Sequence, residues 1–310
     1  MISDLFSVTV LVGILASGIR LATPYLYAAI GETFGQRSGV LNLGVEGQML
    51  LGAFAAFYVA LTTGNLGLAV LVAMIVGALM GLAMAFVTVN LQAQQGISGI
   101  GFYLFGLGMS DLLFQKMLGT VETVKGFPKI HIPFLSDIPG LGEIFFSQNL
   151  MVYAAYLLVP IAWFVLNKTT LGLKIRSVGE NPEAADSLGV SVAGIRYFTI
   201  VLGGILSGVA GASLSIALLN VFQQNMTSGL GFIAVALVYF GGWRPWGVLG
   251  GALLFSMINS LQLWIQVLGI PIPSDIAVMM PYVLTILVLV ATVSRVRSPS
   301  ALTKPFERED

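Results

Sequence analysis

The sequence predicts an all-α, polytopic bundle of transmembrane helices, and three observations carry that prediction. Of its 310 residues, 57% are hydrophobic and 9% are charged, where a soluble domain carries about 25% charged residues. Mean hydropathy is +0.94. The charges gather in a few short connections and at the termini. Between them lie apolar segments close to the roughly 20 residues that cross a bilayer as a helix. A transmembrane β-barrel would instead show alternating segments of about ten residues.

About nine such spans follow one another, within a range of eight to ten. They are Leu5–Gly31, Leu43–Leu61, Leu66–Leu91, Ile97–Leu118, Asn149–Leu166, Phe198–Asn220, Gly229–Gly242, Gly247–Leu268 and Ile276–Val293. Gly229–Gly242 is short and flanked by glycine, which suits a half-helix or re-entrant segment lining a protein interior. Leu43–Leu61 begins among glycines and suits a broken start. Glycines four apart, as in Gly77/Gly81, Gly204/Gly208 and Gly31/Gly35/Gly39, let helix backbones approach closely in lipid.

Lys and Arg accumulate in cytoplasmic loops, so their bias sets the expected orientation. Lys168, Lys174, Arg176 and Arg196 lie in the 167–197 connection, and Arg295, Arg297, Lys304 and Arg308 in the 294–310 tail. Nine alternating spans put both on one side with Arg37 and Arg244. The other side receives Lys116, Lys125 and Lys129, offset by Glu122, Asp137 and Glu143. The expected topology has the N-terminus outside and the C-terminus in the cytoplasm of a multi-pass plasma-membrane protein. The chain reads as one transmembrane domain, 1–310, with a cytoplasmic segment at 167–197, an external loop at 119–148 and a cytoplasmic tail at 294–310. Pro128, Pro133 and Pro139 predict extended strands or a short interfacial helix in the external loop, as a cap or as a docking surface. Arg20 falls inside the first span, where pairing with Glu32 or Glu46 is open, and Asp111 with Lys116 suggests an interfacial pair.

The chain has no cysteine and one histidine, His131. Disulfide, thiolate and His-cluster metal chemistries therefore lack ligands. No phosphate loop of the Gly-x-x-x-x-Gly-Lys-Ser/Thr type occurs, so work driven by nucleotide hydrolysis must come from a partner. The N-terminus lacks the basic region of a secretory signal.

The stretch from Ser38 to Gly52 is the most informative. Asn42 and Glu46 stand four apart among Gly39, Gly44, Gly47 and Gly52, and no charged side chain follows until Asp111. A carboxylate beside so much apolar chain needs a cavity, water or a partner. If helical, the pair shares one face. Two roles are open. Asn42 and Glu46, with Gln48 as a weaker candidate, contact a polar ligand on a translocation path, or they tie a broken helix to neighbouring backbone. Phe54, Phe57 and Tyr58 follow, and an aromatic face of this kind either stacks on a planar ligand or packs the bundle.

A second stretch lies in the 167–197 connection. Asn181 is a helix cap, Pro182 suits the first turn, Glu183 faces the positive end and Gly189 suits the stop. A helix from Pro182 to Leu188 outside the membrane either joins two spans or docks on a soluble motor.

These residues carry a family resemblance. Gly179-Glu180-Asn181-Pro182-Glu183-Ala184-Ala185 followed by Leu188-Gly189-Val190 resembles the coupling segment of ABC importer permeases of the branched-chain amino acid and simple-sugar superfamily. Phe232 to Leu237, Phe240-Gly241-Gly242 and Pro245 to Ala252 resemble that family's later spans. Gly39-Val40-Leu41-Asn42-Leu43-Gly44-Val45-Glu46-Gly47 resembles its nucleoside branch. The resemblance runs from about Arg20 to Ser294. It implies a type II importer-like fold and a permease that is not itself an enzyme and holds no cofactor. ATP and Mg would sit on a cytoplasmic ABC ATPase that docks on Gly179–Ala185. A second related permease in a heterodimer and an external substrate-binding lipoprotein are the further implied partners. Substrate would pass Asn42, Glu46, Gln48, Phe54 and Tyr58 by alternating access. Simple-sugar or branched-chain amino acid cargo is the alternative within the class. An ion-coupled transporter would need acid or His relays, of which only Glu46 is available, and no nucleophile–base or metal set supports an intramembrane enzyme.

Overall fold

The computed structural model describes residues 7–269 and 297–307, with isolated positions between 273 and 290. The described residues form helices and connecting loops, with no strand among them. Seven helices are long and apolar enough to cross a membrane. In order they are α1 Val8–Arg37, α2 Val45–Thr63, α3 Leu66–Ala85, α4 Gln95–Met117, α5 Leu150–Lys168, α8 Val192–Ser213 and α10 Pro245–Val267, where α6 Thr170–Glu180, α7 Pro182–Ser187 and α9 Leu230–Phe240 are the shorter ones. π-helical turns extend α3 through Asn90 and α8 through Leu218. The ninth expected span, Ile276–Val293, falls largely outside the described residues, as does the start of the first.

Local sequence sets most helix ends. Asn65 caps α3 by accepting from the Leu68 amide at 3.1 Å, and Asn149 caps α5 by accepting from Val152 at 3.1 Å. Pro245 opens α10, where its missing amide hydrogen leaves no bond unmade. Two spans start or stop elsewhere than the apolar runs suggest. α1 continues past Gly31 to Arg37, and α8 starts at Val192 rather than Phe198. In α1 the buried polar side chains of the extra turns, Glu32 and Gln36, find partners, so they do not end the helix; in α8 Arg196 is buried in the extra turns although its Nε makes no hydrogen bond.

α8 is the axis of the bundle, packed by α1, α2 and α3. Its glycines explain why three helices can crowd it. A Cβ on Gly77 of α3 would strike the Gly204 carbonyl, one on Gly52 of α2 would lie 2.6 Å from the Gly208 Cα, and one on Gly31 of α1 would lie 3.1 Å from the Gly203 Cα. Such contacts supply dispersion where lipid removes any hydrophobic drive. α4 lies at the periphery and exposes Ile97, Ile100, Leu104, Phe105 and Leu112.

The 118–149 connection is irregular. It makes two single bridges, Thr123 to Val221 and Lys129 to Asn149, and one π-helical turn over Gly142–Phe146, so the expected strands do not form. His131 and Asp137 pair across it at 3.4 Å. The expected Asp111–Lys116 pair is absent among the described ion pairs, and the Asp111 Oδ1 is buried without a hydrogen bond. The 167–197 connection holds an extra helix, α6, capped by Thr169 accepting from Gly172 at 3.1 Å. Its 11 residues are too few to cross a bilayer, so a reading by apolar spans passes over it.

Candidate functional site

α1 and α2 are separated by a break at 38–44, where Gly39 takes φ +91°. That conformation is open to glycine and strained for other residues. The break is buried, so its polar groups need partners. Glu32 on α1 is 2% exposed, and its Oε1 accepts from the Gln36 Nε2 at 3.1 Å and the Asn42 amide at 3.0 Å. Gln36 accepts in turn from the Trp243 indole at 2.7 Å. Asn42 closes a local turn by accepting from the Gly44 amide at 2.9 Å, and its Nδ2 donates to the Gln48 Oε1 at 3.3 Å. Gln95 of α4 accepts from the Leu41 amide at 2.8 Å. The Gln48 Nε2 is buried and makes no hydrogen bond.

Asn42 therefore precedes α2 rather than sharing a helical face with Glu46. Glu46, in the first turn of α2, is 1% exposed and points the other way, to the start of α9. Its Oε1 accepts from the Thr227 hydroxyl at 2.5 Å and the Gly229 amide at 2.7 Å. Its Oε2 accepts from the Gly231 amide at 2.5 Å. The two amides are orphan donors of a helix start, where a carboxylate also meets the positive end of the helix dipole. α9 has 11 residues, about 16 Å of helix at 1.5 Å per residue, which is half the hydrocarbon thickness of roughly 30 Å.

A polar cavity of about 220 Å³ adjoins this point. Tyr25 of α1, Thr227 and Ser228 before α9, Asn259 and Gln262 of α10, and Tyr282 line it. No hydrogen bond among the described residues uses the side-chain amide of Asn259 or Gln262. Sequence reasoning missed these two, although amides three residues apart in an apolar span are the expected mark of an inward-facing polar row. Phe54 and Tyr58 lie elsewhere. Their rings stack at 6.0 Å, and Phe54 packs edge-on to Phe222 at 5.3 Å in a second aromatic cluster with Phe57 and Phe114. Arg20 pairs with neither Glu32 nor Glu46; it lines a separate cavity under the 118–149 loop with Lys129, His131 and Glu143.

The second candidate region is compact. Asn181 accepts from the Ala184 amide at 3.0 Å, Pro182 opens α7, and Gly189 follows at φ +80°. α7 ends at Ser187, and Leu188 caps it. Ala185 is buried against Val178 and Val192, which fixes the helix to the bundle, while Glu180, Glu183 and Ala184 are exposed. Gly179 packs its Cα against the Arg37 carbonyl. Leu188, outside the seven-residue motif, is 85% exposed and stands as an apolar knob beside it. The tail joins the two regions. The Ala301 amide donates to the Gly179 carbonyl at 2.9 Å and the Thr303 amide to the Gly39 carbonyl at 3.1 Å.

Among the described residues, seven helices long and apolar enough to cross a membrane, one of them the glycine-lined axis, a short apolar helix starting at the Glu46 carboxylate and a capped helix held to the bundle by Ala185 make up a multi-pass membrane bundle. A family model described as branched-chain amino acid transport system, permease component, matches residues 14–289, and the chain belongs to that family. A putative glucose ABC transporter permease of Haloferax volcanii is 38% identical over 96% of this chain and 98% of its own length. The guanosine ABC transporter permease NupQ of Bacillus subtilis is 38% identical over 92% of this chain and 93% of its own. The nucleoside ABC transporter permease NupC of Lactococcus lactis is 37% identical over 93% and 94%. No solved structure matches the chain. The protein is a permease component of an ABC transport system in the cell membrane, and not an enzyme in its own right.

Proposed function

We propose that this chain is the membrane-spanning subunit of an ATP-driven importer of nucleosides. The observation that carries the reading is the likeness to two permeases named for guanosine and nucleosides, each covering more than nine-tenths of both chains. The Gly39–Gly47 segment, which resembles the nucleoside branch, agrees with it. Nine spans, with the N-terminus outside and α6, α7 and the tail in the cytoplasm, agree with the Lys/Arg bias. A cytoplasmic ABC ATPase carries ATP and Mg and docks on Gly179–Ala185 with Leu188 as its apolar contact. A second, related permease completes the membrane unit; two guanosine permeases named in Bacillus subtilis, NupQ and the less similar NupP at 28% identity to this chain, support that reading. An external lipoprotein delivers the ligand.

Alternating access then turns on the α1–α2 break. The path passes Asn42, Glu46 and Gln48, with Phe54 and Tyr58 further along α2, and the Tyr25–Asn259–Gln262 cavity is its polar waist. Tilting α9 at the Glu46 tie would open or close that waist. Radiolabelled nucleoside uptake in cells with the chain present or deleted, competed with ribose, glucose, branched-chain amino acids and free bases, tests the cargo. Loss on deletion with competition by nucleosides alone is expected. Asn259→Ala is expected to weaken uptake at least fivefold while leaving ATPase binding intact. The Haloferax volcanii relative favours a second reading, simple-sugar cargo; competition by glucose or ribose would select it.

A further inference from the structure

The end of the bundle that carries α6 holds a cavity that the transport path does not use. It is about 750 Å³ and opens between α1, α5, α6 and α10, where Arg37, Arg176, Arg244, Trp163, Asn167 and Trp246 line it. Arg37 is held through its Nε, which donates to the Trp243 carbonyl at 2.9 Å, and Arg176 through its Nε, which donates to the Gly172 carbonyl at 3.3 Å. Among the described residues no hydrogen bond uses their terminal Nη groups, or any nitrogen of the Arg244 side chain. Lys168 adds a fourth cation, with its Nζ 5.9 Å from the Trp163 ring centroid. Among the described residues the charges that act on Arg37 are Arg176, Glu180 and Arg244. Glu180 is exposed, accepts from Ser300 at 3.1 Å, and makes no ion pair within reach of the arginines.

Three guanidinium groups gathered without a paired carboxylate repel one another and present free forks of donors. Phosphate oxygens match such forks. We infer that this cavity binds the phosphodiester headgroup of an anionic lipid. The surroundings favour a lipid over a soluble phosphate. Trp163 and Trp246 are 37% and 51% exposed at the mouth, as rings at a membrane interface are. The same two helices expose Leu157, Ile161 and Phe164 on α5 and Leu254 on α10, a surface for acyl chains beside the charged end. Basic pockets between transmembrane helices take lipid headgroups for this reason.

The test uses the full chain in nanodiscs and its tryptophan fluorescence, quenched by dibrominated phosphatidylglycerol or dibrominated phosphatidylcholine. Half-maximal quenching is expected at an at least fivefold lower mole fraction of the anionic lipid. The double variant Arg176→Gln, Arg244→Gln is expected to abolish that difference, and Arg176→Lys, Arg244→Lys to keep at least part of it. The lysine pair guards against misfolding, because both variants remove the same native side chains. Equal quenching by the two lipids, or a preference unchanged in the glutamine variant, overturns the inference. So does relief of quenching by millimolar glycerol phosphate with no lipid preference, which would assign a soluble phosphate. A preference present in the lone chain but lost in the complete complex, with cross-links from position 244 to the ATPase, would also overturn it and assign the surface to that partner.

Discussion

Glu46 shows how one side chain can hold two helices in register. Its carboxylate serves three donors at the start of α9 from the first turn of α2. Glu46→Ala leaves those donors buried without an acceptor, at about 1–3 kcal/mol each before water or relaxation intervenes. Thermal unfolding in detergent should fall clearly for Glu46→Ala and less for Glu46→Gln, which keeps one acceptor oxygen. Equal stability of wild type and Glu46→Ala would remove the tie from the account. A Glu46→Gln chain as stable as wild type but inactive in uptake would instead make the charge itself part of the path. Asn42 acts locally by comparison, since its Oδ1 accepts from the Gly44 amide two residues on.

At the scale of elements, the α3–α8 contact is a backbone contact. Gly77 and Gly204 approach so closely that a Cβ on either would strike the carbonyl of the other. Gly77→Val should separate the helices and cost about 1–3 kcal/mol, as overpacking does. Gly101→Val, on α4 where a Cβ meets nothing within 4 Å, should stay within about 0.5 kcal/mol. Comparing the two by thermal shift separates packing from any general effect of valine. α7 invites a different test. Its Ala185 is buried in the bundle and its neighbour Leu188 is 85% exposed. Leu188→Asp, like deletion of Pro182–Leu188, should leave insertion intact and abolish co-purification with the ATPase; retained co-purification would move the docking surface elsewhere.

Across the whole molecule, the tail connects what the helices keep apart. Ala301 and Thr303 bridge Gly179, just before α7, to Gly39, in the α1–α2 break, and Phe306 packs on the Val178, Ala185 and Val192 cluster. Movement of α7 therefore has a direct route to the break. Truncation after residue 296 should give a chain that inserts and binds the ATPase but loses at least tenfold in ATP-dependent uptake, whereas unimpaired uptake would exclude the strut. Much of this architecture was legible beforehand. The apolar runs marked the seven described spans without the extra turns of α1 and α8, the glycines at 39 and 44 marked the break, and Asn181, Pro182 and Gly189 bounded α7. Each of these is a local property, because lipid leaves a backbone no choice but helix, and caps act within three or four residues. The partners of the polar side chains were not legible. Glu46 meets Thr227, Gly229 and Gly231 across 181 to 185 residues of chain. Glu32 turns to Gln36 and Asn42 rather than to Arg20. Asn259 and Gln262 face a cavity that exists only once α1, α9 and α10 are packed. By itself the sequence determined the class, the rough place of the seven described spans and the α1–α2 break; only the tertiary structure decided which buried groups satisfy one another, because that depends on helices brought together over long separations rather than on any local preference.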